Sequence, residues 1–247
     1  MHWVERFFDD PLFARDFEMM KGETERTARE AEFIVRELAL TTSDHVLDLA
    51  CGMGRHALVI APRVHSITGT DRTASFIEDA KVEAKKAGIE NVQFLVNDMR
   101  DLAHEAEFDA AYNYFTAWGY YDDETNFDVL KRIHRALKPG GRFLLEFIHR
   151  DAEMRNFRSR NWRLNPPSTV VLQEERFDFT TGRLHANHIF IESGNIREIE
   201  IDHYLPSSDE FVRLFKQAGF KTARLVSAPD GGELTLNTRR LAVIGTA

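Results

Sequence analysis

Short apolar runs alternate with longer amphipathic stretches along the first part of the chain. The longer stretches place apolar residues three or four positions apart, as a helix with one buried face requires. They predict helices over residues 24–40, 55–61, 76–87 and 127–137. The short runs predict five strands, at residues 45–50, 64–70, 92–96, 108–115 and 142–148. Because strand and helix alternate, we expect a doubly wound α/β fold, a Rossmann-like parallel sheet with helices on both faces.

The alternation stops after Asp151, and a second pattern begins. Residues 155–167 are basic, irregular and rich in turn formers. Three runs of mostly alternating polarity follow at residues 170–179, 184–192 and 197–205, and they predict an antiparallel β insertion between strand five and the last helix. The sequence Ser207-Ser208-Asp209-Glu210 is a capping box, so the last helix begins there and ends near Gly219. Residues 220–226 and 240–245 predict two further strands, which makes a seven-stranded main sheet.

These patterns divide the chain into three parts. Residues 1–151 form N-terminal helices and the core, residues 152–206 form the antiparallel insertion as a lid over a substrate, and residues 207–247 return the last helix and two closing strands to the core. The aromatic run at the N-terminus has two interpretations: it caps a bound cofactor, or it is an amphipathic helix that closes one end of the core. The run consists of Trp3, Phe7, Phe8, Phe13 and Phe17.

Composition narrows the class of protein. The chain has 247 residues, 43% of them hydrophobic, which is typical of a folded globular protein. The formal net charge of −8 argues against a nucleic-acid partner. No apolar run approaches the roughly 18 residues of a membrane span, and the N-terminus lacks the apolar region of a signal peptide. Cys51 is the only cysteine, so we expect no internal disulfide and a cytoplasmic location.

Candidate chemistry lies at the ends of the predicted strands, where ligands of open α/β sheets bind. Gly52-Met53-Gly54 follows the first strand, where glycine lets the backbone approach a ligand closely. Asp71 ends the second strand and can accept hydrogen bonds from both hydroxyls of a ribose. Asp98 ends the third strand, where it can meet an adenine amino group. Cys51 adjoins the glycine loop, and packing is the expected role of its side chain.

Two cofactors are compatible with the glycine loop alone. Residues 52–57 also match the G-x-G-x-x-A pattern of dinucleotide-binding proteins, so an NAD site remains open at this stage. Asp48 argues against it, because a carboxylate just before the loop suits an ammonium group and would repel a pyrophosphate. Two further segments agree with Asp48, namely Asn97-Asp98-Met99 after strand three and Lys138-Pro139-Gly140-Gly141 before strand five.

These motifs, in this order, resemble those of class I S-adenosylmethionine-dependent methyltransferases. Residues 46–54 resemble the family's first motif, although Ala50 stands where the family more often has glycine, and we expect a slight shift of the loop there. The resemblance covers residues 25–150 closely and the last helix and strands more loosely, and it implies an antiparallel final strand at residues 240–245. It implies S-adenosyl-L-methionine as cofactor and S-adenosyl-L-homocysteine as product. The expected cofactor-binding residues are Asp48, Ala50, Cys51, Gly52, Gly54, Asp71, Arg72, Asp98, Met99 and Asn113.

Residues 112–121 resemble a segment of small-molecule N-methyltransferases such as the dimethyltransferases of amino-sugar biosynthesis, which also carry an antiparallel insertion. Tyr120 falls where some of them have a catalytic histidine, so it is the candidate catalytic residue; the alternative is that Tyr120 only walls the pocket. The remaining candidates for a substrate pocket are Phe115, Trp118, His149 and His203. The two histidines have a second interpretation, as hydrogen-bonded structural residues.

The sequence therefore predicts an enzyme that methylates nitrogen or oxygen of a small molecule, with no membrane or nucleic-acid partner, as a monomer or homodimer. We predict no metal site, because His185 and His188 are three residues apart on a strand and point to opposite faces. The alternatives are an NAD-dependent oxidoreductase, a methyltransferase of RNA or protein, and a binding module without catalysis. The identity of the acceptor does not follow from the sequence.

Overall fold

The computed structural model describes residues 2–10, 24–165 and 169–247, and the structural statements below concern these ranges. They contain seven α-helices, two short 3-10 helices and eleven strands. The helices are α1 (Trp3–Phe8), α2 (Thr24–Glu37), α3 (Arg55–Ile60), α4 (Ala74–Ala87), α5 (Asp123–Ala136), α6 (Arg150–Arg155) and α7 (Ser208–Gln217). The strands are β1 (His45–Leu49), β2 (Ser66–Asp71), β3 (Val92–Val96), β4 (Phe108–Asn113), β5 (Leu137–Ile148), β6 (Arg160–Asn165), β7 (Thr169–Asp178), β8 (Arg183–Glu192), β9 (Asn195–Tyr204), β10 (Thr222–Ser227) and β11 (Arg240–Thr246).

The main sheet has seven strands in the order β10-β11-β5-β4-β1-β2-β3. Strands β1 to β5 are parallel, and β11 runs antiparallel to both β5 and β10. The predicted α/β fold with an antiparallel closing strand is thereby confirmed. The strand order reverses between β1 and β4, so the carboxyl ends of these two strands flank the crevice in which such sheets bind ligands.

Both faces of the main sheet are buried, as its near-continuous apolar strands require. Val46 of β1 packs among the side chains of α2, α3 and α4 on one face. The next residue, Leu47, points the other way and packs with α5 and α7, where Phe143 stacks on Phe215 at 5.5 Å between ring centroids. The last helix begins at the predicted capping box, in which Ser207 accepts a hydrogen bond from the Glu210 amide and Glu210 accepts one from the Ser207 amide.

Three features differ from the sequence-based expectation. Strand β6 covers residues 160–165, where we expected irregular chain, so the second sheet has four strands and not three. Helix α6 was also not anticipated. Strand β4 ends at Asn113 instead of residue 115, because Phe115 and Thr116 adopt left-handed backbone angles, with φ of 72° and 62°, which no strand can continue.

The second sheet, β6-β7-β8-β9, is antiparallel throughout. One of its faces packs on the N-terminal helix, where Phe7 meets the buried side chains of Val171, Phe190 and Ile199. Its last strand is tied to the core by the Tyr204 amide, which donates to the Gly119 carbonyl over 2.9 Å. The division into three parts stays a prediction. Among the described helices, none has the length and apolarity to span a membrane.

Candidate active site

A cavity opens at the carboxyl ends of β1 to β4. Helix α1 contributes to its wall through Val4 and Phe8, so the N-terminal segment lies over the end of the sheet. Eight of the ten predicted cofactor-binding residues line this cavity, while Gly54 and Asn113 lie just behind it. The eight are Asp48, Ala50, Cys51, Gly52, Asp71, Arg72, Asp98 and Met99.

Asp48 is a buried carboxyl group at the base of the cavity, with 3% of its surface exposed. Tyr112, opposite it on β4, donates its hydroxyl hydrogen to Asp48 Oδ2 over 2.8 Å. Burial raises the pKa of Asp48 to about 7, and the Tyr112 hydrogen bond only partly opposes that rise. A positively charged group placed in the cavity would favour the ionised form of this carboxyl group.

The loop after β1 is held in a left-handed conformation at three positions. Ala50, Gly52 and Gly54 have φ of 56°, 55° and 75°. A Cβ atom on Gly52 would meet no atom within 4 Å, so this residue leaves open space in the cavity. A Cβ atom on Gly54 would lie 2.5 Å from the ring of Phe94, so this glycine is needed for packing of the loop on β3. Ala50 adopts a conformation that glycine would adopt without strain.

Asp71 connects the glycine loop to the end of β2. Its Oδ2 accepts a hydrogen bond from the Gly52 amide at 2.9 Å, and its Oδ1 accepts one from the Thr73 amide at 2.8 Å. Burial raises the pKa of Asp71, although these two amides act in the opposite direction. Each carboxylate oxygen has a second lone pair, so Asp71 can still accept hydrogen bonds from a ligand.

Asp98 lies at the end of β3 and is paired with Arg100. Two nitrogen atoms of the Arg100 side chain approach the Asp98 carboxylate at 3.0 and 2.8 Å. Burial alone would raise the pKa of Asp98, but the hydrogen bonds and charge of Arg100 lower it, so Asp98 is ionised at neutral pH. The neighbouring Asn97 lines the cavity, and its Oδ1 is buried with no hydrogen-bond partner among the described residues. This amide oxygen is available to accept a hydrogen bond from a ligand or from water.

Aromatic side chains form another part of the cavity wall. They are Tyr114, Phe115, Tyr120 and Tyr121. The Tyr120 ring packs against Trp3 at 5.3 Å between centroids. Burial raises the pKa of Tyr120 above its usual value, so its hydroxyl group is neutral at physiological pH. Tyr120 and Phe115 both contribute aromatic surface to the cavity.

Three predicted pocket residues do not line the cavity. Trp118 is in the apolar core, with Nε1 donating to the Asn126 carbonyl at 3.0 Å. His149 Nδ1 donates to the Thr238 carbonyl over 2.8 Å, as a structural residue at the end of β5. His203 is also a hydrogen-bonded structural residue, because its Nε2 donates to the Trp118 carbonyl over 2.6 Å. Its ring packs against the Tyr120 ring, with 5.1 Å between the ring centroids.

Sequence reasoning missed a buried charge cluster beside the cavity. His56 and Arg55 line the cavity from α3, and both contact Glu30 of α2. Burial lowers the pKa of His56 to about 4, so the neutral ring donates from Nε2 to Glu30 Oε2 over 2.9 Å. Burial would raise the pKa of Glu30, but the His56 hydrogen bond and the Arg55 charge lower it to about 2. No sequence motif marks these residues, which are brought together only by helix packing.

A second buried pair sets the path of the chain after β4. Glu146 of β5 is fully buried and accepts a hydrogen bond from the Phe115 amide at 2.8 Å. Arg240 of β11 pairs with the same carboxylate and also donates to the Thr116 hydroxyl group. These bonds hold Phe115 and Thr116 in their left-handed conformation and direct the Phe115 ring to the cavity. In the described ranges, no group of three or more His, Cys, Asp or Glu side chains could hold a metal ion.

Comparison with known proteins agrees with this geometry. The family described as "Methyltransferase domain" matches residues 46–141. An uncharacterized methyltransferase of Bacillus subtilis is 29% identical over 162 residues, which are 64% of this chain. The chain spans 63% of the length of that relative.

Solved structures share the fold of nearly the whole chain. An S-adenosylmethionine-dependent methyltransferase from Clostridium acetobutylicum superposes with a TM-score of 0.78 at 16% identity, over 94% of this chain and 98% of that one. The sugar N-methyltransferase KedS8 from Streptoalloteichus superposes with a TM-score of 0.66 at 18% identity, over 92% of this chain and 90% of that one. Residues 46–141 therefore match a methyltransferase-domain family, and the chain has the fold of S-adenosylmethionine-dependent methyltransferases.

Proposed function

We propose that this protein transfers a methyl group from S-adenosylmethionine to a nitrogen or oxygen atom of a small molecule. One observation carries the proposal: a single cavity joins carboxyl groups at the ends of β1, β2 and β3 to an aromatic wall after β4. The carboxyl groups suit the polar parts of the cofactor, whereas the aromatic wall suits an acceptor with apolar surface.

The polar residues of the cavity fit this cofactor. Asp48 is a carboxyl group whose pKa is raised by burial, and the ammonium group of the cofactor would favour its ionised form. The empty space at Gly52 admits the amino-acid part of the cofactor close to the backbone. Asp71 would accept the ribose hydroxyls. The unpartnered Oδ1 of Asn97, together with Asp98, would accept hydrogen bonds from the adenine end.

When bound, S-adenosylmethionine supplies an electrophilic methyl group on a positively charged sulfur atom. The residues of this chain then have to position the acceptor and exclude water. Val4 and Phe8 cover the cavity with apolar surface, which limits the entry of water. Tyr120 holds a neutral hydroxyl group in the wall. Such a group orients an acceptor by one hydrogen bond, and it does not act as a phenolate base.

Two observations favour a small acceptor over RNA or protein. Helix α1 and the aromatic residues after β4 leave an enclosed site, because Trp3 packs on Tyr120 and donates from Nε1 to its carbonyl over 3.2 Å. The fold neighbour from Streptoalloteichus is described as a sugar N-methyltransferase. The net charge of −8 also disfavours an RNA substrate.

Calorimetric titration tests the cofactor assignment. We expect S-adenosylhomocysteine to bind with a dissociation constant of about 1–100 μM and NAD to show no binding. Asp71→Ala should weaken S-adenosylhomocysteine binding about tenfold or more, since it removes an acceptor and loosens the Gly52 amide. The matched control is Glu78→Ala on the exposed face of α4, which should leave affinity unchanged. Tight binding of NAD without S-adenosylhomocysteine binding would refute the assignment.

A turnover assay tests the acceptor class. Release of S-adenosylhomocysteine should be measured with amines, amino sugars and phenols, and in parallel with RNA and denatured protein. We expect turnover only with members of the small-molecule set. Turnover confined to RNA or protein would contradict the proposal, while cofactor binding with no turnover on any acceptor would favour a binding module.

A further inference from the structure

A buried ionic cluster joins α2 to α3 beside the cavity. Its centre is Glu30, which is 6% exposed. Glu30 Oε1 pairs with Arg26 Nε at 3.0 Å. Glu30 Oε2 pairs with Arg55 Nη1 at 2.5 Å and with His56 Nε2 at 2.9 Å. Desolvation of buried charges offsets much of their attraction, so stability alone does not account for such a cluster, and two of its members, Arg55 and His56, line the cavity.

Glu30 determines which nitrogen atom of His56 carries the hydrogen. The Glu30 carboxylate is ionised and can only accept, so His56 donates to it from Nε2. Burial lowers the pKa of His56 to about 4, so the ring is neutral at physiological pH and has a single N–H. His56 Nδ1 therefore carries a lone pair, and it has no hydrogen-bond partner among the described residues. This nitrogen is not sealed in the interior, so it is open to an N–H group of a ligand in the cavity.

Arg55 is held in place through only one of its three nitrogen atoms. Its Nη1 pairs with Glu30 and donates to Thr27 Oγ1 over 3.0 Å. Its guanidinium group also lies against the ring of Phe115, with 5.8 Å from Cζ to the ring centroid. Nε and Nη2 have no hydrogen-bond partner in the part of the chain that the structure describes, and neither is sealed in the interior. Arg55 therefore offers two unused donor atoms to the cavity that it lines.

The unused atoms of Arg55 and His56 match the two charged groups of an amino acid. Nε and Nη2 of an arginine form a fork for both oxygens of a carboxylate, as Arg100 shows with Asp98 at 3.0 and 2.8 Å. An ammonium group has three N–H donors, so it needs several acceptors, and His56 Nδ1 and Asp48 are two. Burial raises the pKa of Asp48, and the charge of Arg55 is among the effects that oppose this rise, so the two side chains are close.

We propose that Arg55 and His56 bind the amino-acid end of S-adenosylmethionine, and that Glu30 is the residue that positions both. Arg55 binds the carboxylate, and His56 Nδ1 accepts a hydrogen bond from the ammonium group beside Asp48. Glu30 does not line the cavity and acts only through these two side chains. The glycine loop leads directly into Arg55, the first residue of α3, so loop and cluster meet at the same end of the cofactor. The inference rests on the proposed function only in that the cavity binds S-adenosylmethionine, and it is independent of the acceptor.

Two ligands that differ in the amino-acid end test the proposal. S-adenosylhomocysteine carries that end, whereas 5′-methylthioadenosine has the same adenosine and thioether without it. In calorimetric titrations of the full chain, Glu30→Gln and Arg55→Gln should each bind S-adenosylhomocysteine about tenfold more weakly than the wild type, because charge-assisted hydrogen bonds are lost. Both variants should bind 5′-methylthioadenosine within about twofold of the wild type, since its contacts are distant from the cluster. That second affinity also reports that each variant is folded.

Glu32→Gln is the matched control, because Glu32 lies on the exposed side of α2 and pairs with Arg63 away from the cavity. It should leave both affinities unchanged. The proposal is wrong if Glu30→Gln and Arg55→Gln lose affinity equally for the two ligands, or if both retain full affinity for S-adenosylhomocysteine. If Glu30→Gln binds neither ligand, Arg55→Gln decides by the same comparison. A wild-type chain that binds neither ligand would refute the cofactor assignment itself.

A third ligand separates the two contacts. Decarboxylated S-adenosylmethionine keeps the ammonium group and lacks the carboxylate. Arg55→Gln should therefore weaken the binding of S-adenosylmethionine about tenfold without weakening that of the decarboxylated form. His56→Leu removes the Nδ1 acceptor and should weaken the binding of both. Equal weakening of the two ligands in Arg55→Gln would show that Arg55 does not bind the carboxylate.

Discussion

Tyr112 donates a hydrogen bond of 2.8 Å to Asp48 in the interior of the protein, where 0% and 3% of the two side chains are exposed. The two residues are register partners on neighbouring strands β4 and β1. The hydroxyl group satisfies one oxygen of the carboxyl group but supplies no positive charge. Asp48 is therefore a group whose ionisation is unfavourable in the ligand-free protein and becomes favourable beside a cation.

We predict that Asp48→Asn raises stability and lowers cofactor affinity. The pKa of Asp48 is about 7 in the folded protein, against 3.8 for an ordinary aspartate, so the folded protein holds this proton more tightly than the unfolded chain. The contribution of the Asp48 proton to the free energy of unfolding is therefore fully present below pH 4. It is lost as the pH rises toward 7, and the loss is at most about 4 kcal/mol. Asn has no proton to lose, so urea unfolding at pH 8 should show a more stable variant.

The same substitution should weaken S-adenosylhomocysteine binding about tenfold or more, because the ammonium group loses its charged partner. Asp109→Asn is the control, since the His45 amide and Lys138 hold the pKa of Asp109 low against the effect of burial. That variant should be less stable than the wild type and should bind normally. A destabilised Asp48→Asn variant with unchanged affinity would contradict the assigned role.

The two glycines of the loop should separate binding from stability. Gly52→Ala places a methyl group in open cavity space, so it should abolish most cofactor affinity at a cost in stability of about 1–2 kcal/mol for the left-handed backbone. Gly54→Ala carries the same backbone strain and adds a clash with the Phe94 ring, which should cost a further 1–3 kcal/mol or so. Thermal unfolding and titration of both variants provide the comparison. Equal stability of the two would show that Phe94 moves freely.

Tyr120→Phe should have a modest kinetic effect. The Tyr120 hydroxyl group stays protonated because burial raises its pKa, so the variant loses one orienting hydrogen bond and no base. We expect kcat to fall about five- to tenfold, with an unchanged pH profile and unchanged S-adenosylhomocysteine affinity. Tyr120→Ala opens the wall between Trp3 and His203 and should reduce kcat further. A drop of about a thousandfold in Tyr120→Phe, with a shifted pH profile, would indicate proton transfer by Tyr120.

His56 should make the protein sensitive to acid. The pKa of His56 is about 4 in the folded protein, against 6.5 for an ordinary histidine, so the unfolded chain binds the extra proton first as the pH falls. The contribution of neutral His56 to the free energy of unfolding is therefore lost as the pH falls from 6.5 to 4, and the loss is at most about 3 kcal/mol. His56→Gln retains a donor to Glu30 but does not titrate, so it should lose less stability in urea between pH 7 and 5. An equal loss in both proteins would exclude His56 as the cause.

Much of the fold could be predicted because its signals are local. The apolar runs marked β1 to β4, and the Ser207 capping box marked the start of α7. Strand β6 was missed because residues 155–167 are basic and rich in turn formers, which hid the short alternation of Trp162 and Leu164 with polar residues. The aromatic residues at positions 13 and 17 lie outside the described residues, whereas Trp3 and Phe8 contact the wall at Tyr120.

The candidate site could be predicted in part for the same reason. Asp48, Asp71 and Asp98 each lie at or next to the end of a strand, so parallel topology alone brings them to one edge. The Glu30–His56 and Glu146–Arg240 pairs join distant segments, and no spacing rule connects them. Trp118 is a residue that the sequence placed in the substrate pocket and the structure places in the core. Its ring packs against Phe147 there.

The sequence by itself determined the order of strands and helices, the glycine loop and the acidic residues that end three strands. These features depend on periodicity and on residues close together in the chain. Only the tertiary structure decided which side chains face the cavity, which carboxyl groups have partners, and which face of the second sheet packs on α1. Those outcomes depend on packing between distant segments and on burial, which alter pKa values and exposure without leaving a local pattern in the chain.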